Sequence, residues 1–83
     1  MDRILIKLLV PAVGGEYDLF IPGSISVSAA AKLLAEGVRD ISEKRYPISG
    51  EEQLVLKNAE TLLDPNRTLA DYHLYDGCVL VLI

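Results

Sequence analysis

Tryptophan is absent from this chain of 83 residues, and cysteine and histidine occur once each, at Cys78 and His73. One thiol excludes an internal disulfide, and Cys78 with His73 falls short of the four soft ligands that a structural zinc or an iron–sulfur cluster needs. Cys78 is therefore expected to pack as a small apolar side chain, with no metal site and no cofactor. Long hydrophobic runs are also missing, because Lys7 and Pro11 interrupt ILIKLLVPAV well short of the roughly 18 residues of a membrane span. The opening MDRILIKLL lacks the basic head, long apolar stretch and small-residue cleavage site of a signal peptide. Direct membrane insertion and export by that route are not expected, which leaves the cytoplasm as the expected location. Positive charge is scarce: the formal net charge is −4, so the phosphates of nucleic acid would be repelled.

Catalytic signatures are lacking as well. There is no phosphate-binding G-x-x-x-x-G-K-[ST], no H-E-x-x-H and no C-x-x-C, and VGGEYD reads as a hairpin turn rather than a nucleotide loop opening a helix. His73 has no evident second ligand or neighbouring nucleophile. The chain is expected to have no catalytic residues and not to be an enzyme.

What is present fits one small domain spanning residues 1–83, since this length leaves no room for a second core. RILIKLLV and EYDLFIP are strand-like, the latter placing Tyr17, Leu19 and Ile21 on one side, and the proline and paired glycines of PAVGG supply the turn between them. Residues 3–21 thus predict a β-hairpin. After PGS the period changes: Val27, Ala30, Leu34, Val38 and Ile41 recur at three- and four-residue spacing and predict a buried helical face. Ser26 is placed to cap the helix, whose run to about Arg45 ends ahead of Pro47. On the solvent face the spacing allows Lys32 to meet Glu36 and Arg39 to meet Glu43. Gly37 lies inside this helix, where it costs about 1 kcal/mol relative to alanine, so a close approach by sheet side chains is expected there.

The last third reads as a strand at QLVLK, a short strand near TLLD, a turn at PNR, a helical turn at LADYH and a final strand at CVLVLI. Within it, Glu51, Glu52, Glu60, Asp64, Asp71 and Asp76 oppose only Lys57 and Arg67, so the acidic excess lies there. For one helix to cover one sheet, the last strand should lie beside the first. The expected class is α+β, a β-grasp with a mixed five-stranded sheet and one packed helix. Within TLADY, Leu69 should enter the core, Asp71 should sit near the turn amides, and Tyr72 should bury its ring while its hydroxyl finds a backbone partner.

NRTLADYHL, QLVLKNAETLL and the order of hairpin, helix and strands resemble ubiquitin over nearly the whole chain. Within that superfamily, YDLFIPGSISVSAAAKLL, ETLLDPNRTLADYHLYDG and the stop after the last strand most resemble the YukD/EsaB family, small bacterial ubiquitin-like proteins associated with type VII secretion systems. A conjugated modifier or sulfur carrier would need a C-terminal diglycine, whereas VLVLI ends in a strand. The resemblance therefore implies a non-conjugated ubiquitin-like adaptor, accessory to or regulating a type VII secretion system. It would be cytoplasmic, held at the inner face of the membrane through a protein partner such as a secretion-machinery subunit. The alternative is a structural or self-associating β-grasp domain of a larger membrane-associated assembly, in which a homodimer is one form.

The pleat of the first strand puts Ile4, Ile6 and Leu8 on one side and Leu5, Lys7 and Leu9 on the other, and the charge of Lys7 marks the latter as outward. The ubiquitin pattern implies Leu80 and Leu82 inside, hence Val79, Val81 and Ile83 outward. Leu54 and Leu56 inward leave Val55 outward. The expected protein-binding surface is Leu5, Leu9, Val55, Val79, Val81 and Ile83, with Leu5, Val55 and Val81 as near neighbours. The acidic edge around Glu60, Asp64 and Asp76 is the second candidate surface.

Overall fold

The computed structural model describes residues 3–83. Its first two strands, β1 (Arg3–Val10) and β2 (Gly15–Pro22), pair antiparallel from Arg3 opposite Pro22 to Val10 opposite Gly15. The link is a 3-10 turn, Pro11–Val13, closed by Gly14, which takes φ 63° and donates its N–H to the Pro11 carbonyl at 3.1 Å. A side chain would be strained in that left-handed conformation, which is why glycine stands there.

The helix α1 (Val27–Ile41) begins where Ser26 Oγ accepts from the Ala29 N–H at 3.1 Å, the expected cap. It ends four residues before the predicted Arg45. Glu43 and Lys44 turn to φ 57° and 66°, with Lys44 N–H donating to the Arg39 carbonyl and Glu43 N–H to that of Asp40. This pair of bonds is a Schellman closure, so the backbone terminates α1 before Pro47 is reached. Ser42 is buried at the end of α1; its Oγ donates to the Arg39 carbonyl and accepts from the Tyr46 N–H. Arg39 and Glu43 are consequently not one turn apart on a helix, and the expected pairing between them has no helical basis.

After α1 come β3 (Leu54–Leu56), a 3-10 turn (Lys57–Ala59), β4 (Thr61–Leu62), a second turn (Leu69–Tyr72) and β5 (Cys78–Leu82). The strand order is β2-β1-β5-β3-β4, with β1 and β5 parallel and the other pairs antiparallel. The last strand does lie beside the first, in the centre of a mixed sheet.

One sheet face meets α1. Ile6, Leu8, Leu54, Leu80 and Leu82 are buried against Val27, Ala30, Leu34 and Val38. Ile41 is 51% exposed and leaves the predicted helical stripe, because it is the last residue of α1 and extends past the core. A Cβ built on Gly37 meets nothing within 4 Å, so no close packing explains that glycine.

The TLADY segment forms as expected. Leu69 is fully buried, and Thr68 and Asp71 form a reciprocal capping box, with Thr68 N–H donating to Asp71 Oδ2 at 3.1 Å and Asp71 N–H to Thr68 Oγ1 at 3.2 Å. Tyr72 is half-buried, and its hydroxyl accepts from the Asp64 N–H at 2.7 Å.

Candidate interaction surface

The pleat that buries Ile6, Leu8, Leu80 and Leu82 turns the alternate residues of the same strands away from α1. Leu5, Leu9, Val55, Val79 and Val81 are half-buried on this outer face, and Ile83 is 57% exposed at its rim. Ile83 continues the strand pairing: its N–H and carbonyl bond to the carbonyl and N–H of Gln53 at 3.0 and 2.9 Å.

Register decides which of these residues meet. Leu9 lies opposite Val81, Val81 opposite Val55, and Val55 opposite Leu62, while Glu16 pairs with Leu9 at the β2 end of the row. An apolar row therefore crosses four strands. The neighbouring row runs Asp18, Lys7, Val79. Leu5 is not near Val55 or Val81, contrary to expectation. It sits four residues from Leu9, about 13 Å along β1, and pairs with Phe20 instead. The expected triplet took strand order into account but not the parallel offset of β5, which places Leu9 in the row.

Two large contributors escaped the sequence reading. Phe20 is 63% exposed, with the Arg3 guanidinium 5.9 Å from its ring centroid, and Leu62 is 53% exposed at the end of the apolar row. Phe20 was legible, because it alternates with Leu19 and Ile21, which face the core. Leu62 was ambiguous, since Leu62 and Leu63 are adjacent and only the register shows that Leu63 is the buried one.

The acidic edge proves largely architectural. Asp76 Oδ1 accepts from the Leu5 N–H at 3.0 Å, tying the β5 corner to β1, and Asp64 Oδ1 accepts from the Asn66 N–H at 2.9 Å within its turn. Glu60 sits at φ 49°, closing the turn before β4. Glu52 gathers the link from α1 to β3: its carboxylate accepts from Ser49 N–H, Ser49 Oγ, Gly50 N–H and Tyr46 Oη at 2.7 to 3.2 Å. Burial opposes ionisation of Glu52, but the bonds from Ser49 and Tyr46 outweigh it and hold the carboxyl below its ordinary range. Burial, then the Glu52 charge, push Tyr46 up to about 12.

Cys78 is buried in β5, and burial first, with the Asp76 charge adding to it, raises its thiol pKa. His73 is exposed and takes φ 53° where the 3-10 turn ends, its N–H donating to the Ala70 carbonyl at 3.0 Å. A depression of about 100 Å³ between α1 and the β3 side is bordered by Ser28, Ala31, Lys32, Leu54 and Leu63. The outer face thus presents apolar side chains in register, edged by Lys7, Asp18 and Glu16.

No protein-family model and no curated protein sequence matches the chain. Among solved structures it is similar to the ubiquitin-like domain of Plasmodium falciparum Dsk2, with 24% identity over 98% of this chain and 99% of that one and a TM-score of 0.69. It is similar to Caldiarchaeum subterraneum ubiquitin, with 22% identity over 98% of this chain and 91% of that one and a TM-score of 0.70. It also matches a chain of the MycP5-free ESX-5 inner membrane complex, at 17% identity and a TM-score of 0.72, covering all of this chain and 21% of the other. The fold is a ubiquitin-like β-grasp.

Proposed function

We propose that this chain is a protein-interaction adaptor that acts by binding, without conjugation or catalysis, as an accessory or regulatory component of a bacterial type VII secretion system. The apolar row Leu9, Val81, Val55 and Leu62 carries the interaction part of the reading, because it lies on the sheet face opposite α1. Val79 and Ile83 flank that row on either side of Val81 along β5 and its continuation, and Leu5 with Phe20 forms a separate apolar corner beyond Lys7. The secretion context is supported by the YukD/EsaB-like sequence pattern and by the likeness to a chain of a type VII secretion complex. In that context the protein works in the cytoplasm and reaches the inner face of the membrane through its partner.

The test is a crosslinking pull-down from the native cell with Val55→Asp and Val81→Asp combined. A partner would have to bury two carboxylates, so capture of the secretion subunit should be lost while the melting curve stays cooperative. Full capture and normal secretion by a folded double variant would defeat the reading.

A second reading, a structural or self-associating domain of a larger membrane-associated assembly, draws on one observation. In the ESX-5 complex the matching region is 21% of a longer chain, so there the fold is one part of a larger subunit. Sedimentation separates the two: a dimer of the native chain that the double variant abolishes supports self-association, and a monomer that still captures a different protein supports the adaptor.

A further inference from the structure

The Glu52 carboxylate stands in a ring of donors that would hold another anion as well. Ser49 N–H, Ser49 Oγ and Tyr46 Oη donate to Oε2 at 2.7, 3.1 and 3.2 Å, and Gly50 N–H donates to Oε1 at 3.1 Å. Successive backbone amides aimed at one carboxylate make a small anion-holding concavity. A member of this ring is itself a point of attachment. Ser49 Oγ, besides donating to Glu52, accepts from the Glu51 N–H at 3.0 Å.

Access singles out this hydroxyl. Ser42 is buried, Ser26 Oγ caps α1, and Ser28 lies in the first turn of α1. Ser24 is exposed, but Ile25, Ser26 and Val27 follow it, with no acid among them. Ser49 is exposed, and residues 47–53 around it form neither helix nor strand, so the segment can lie extended in an enzyme cleft. Acidic side chains follow it, Glu51 exposed and Glu52 half-buried. A modifying enzyme with a basic substrate groove is complementary to that run.

We propose that Ser49 is a phosphorylation site and that its phosphate takes over the donors now held by Glu52. The phosphoryl source is ATP on a protein kinase directed by acidic residues after the hydroxyl. Ser49 Oγ attacks the γ-phosphorus, the Oγ–P bond forms as the bond to the bridging oxygen of ADP breaks, and the hydroxyl proton passes to the kinase's general base. The product carries a charge of about −1.5 to −2 at neutral pH on strongly accepting oxygens, tethered beside the Ser49 and Gly50 amides. It has lost the Oγ proton that Glu52 accepted, and it repels a carboxylate that lay 3.1 Å from Oγ. The more highly charged group keeps the ring. Glu52 and Lys32 border the same depression, so the expelled carboxylate has a cation to turn to. Gln53, next in the chain, pairs with Ile83 through both backbone groups, and that pair loosens as Glu52 leaves. None of this depends on what the outer face binds.

The test has two arms, both on the full chain. Protein recovered from the native cell with phosphatases inhibited is digested and sequenced by tandem mass spectrometry, which should find phosphate on Ser49; its absence there would overturn the proposal. For the second arm, the chain carrying phosphate on Ser49 is compared by NMR with the native chain and with Ser49→Ala. The Glu52 carboxyl should rise into the ordinary carboxylate range in the phosphorylated chain. It should stay below that range in Ser49→Ala, which keeps the Ser49 and Gly50 amides and the Tyr46 hydroxyl as donors. Hydrogen exchange at Gln53 and Ile83 should quicken at least about tenfold with phosphate and stay near native in Ser49→Ala. A Glu52 carboxyl that keeps its low range beside the phosphate, or a Ser49→Ala chain that behaves as the phosphorylated one does, would overturn the exchange of anions.

Discussion

Tyr72, Gly37 and Glu43 show three relations between a residue and its position. Removing the Tyr72 ring deletes half-buried contacts and the acceptor of the Asp64 N–H, so Tyr72→Ala should destabilise by about 3 kcal/mol in denaturant melts. Tyr72→Phe, which loses only the hydroxyl, should cost about 1 kcal/mol. Equal losses for the two would show that the ring contributes little. Gly37 has ordinary helical surroundings and open space where a Cβ would go, so Gly37→Ala should stabilise by about 0.5 to 1 kcal/mol. Glu43 holds the left-handed position of a helix closure usually given to glycine, and Glu43→Gly should raise the melting midpoint by relieving strain of about 1 kcal/mol. A lower midpoint in that variant would mean that the Glu43 side chain supports the closure. The role of Tyr72 was legible in the sequence because TLADY is a local motif whose parts contact one another over a few residues. That of Gly37 was not, since the same letter serves both close packing and empty space, and only neighbours distant in sequence distinguish them.

Among the elements, hairpin, helix start and final strand were readable because period, turn chemistry and a capping serine coincide at each. The end of α1 was not. Pro47 is a conspicuous stop, but the backbone reverses at Glu43 and Lys44, two residues with no special preference for the conformation they adopt. The link that follows is held by Glu52 and Tyr46, and this gives the fold two pH limits. Glu52 has a folded pKa below its unfolded value, so its contribution is complete above the ordinary carboxylate range and is lost as pH falls through the folded value. Tyr46 is held neutral up to about 12 against an ordinary 10.0, so its contribution is complete below 10.0 and is lost between 10.0 and about 12. Absorbance titration should find a tyrosine ionising at about 12. Glu52→Gln should flatten the acid limb of the stability profile and bring that tyrosine part of the way back, leaving the shift due to burial. An unchanged acid limb would show that other carboxylates set it.

For the molecule as a whole, strand order followed from covering one sheet with one helix, and the facing of each side chain followed from period two. What stayed hidden was lateral position: that Leu9, rather than Leu5, shares a row with Val81 depends on how far β5 is offset along β1, and no local pattern encodes that offset. The same pairing governs the fate of an incomplete chain. β5 is the central strand and the last of the five to be synthesised, so until it emerges from the ribosome the β1–β2 hairpin and the β3–β4 pair have no ladder joining them. A chain cut after Gly77 should accordingly show no cooperative unfolding transition; a sharp one would mean that α1 alone can hold the halves together. If the transition is absent, folding of this domain begins only once β5 has been made, and a product that stops short of β5 is an open substrate for cellular proteases rather than a weakened version of the finished domain.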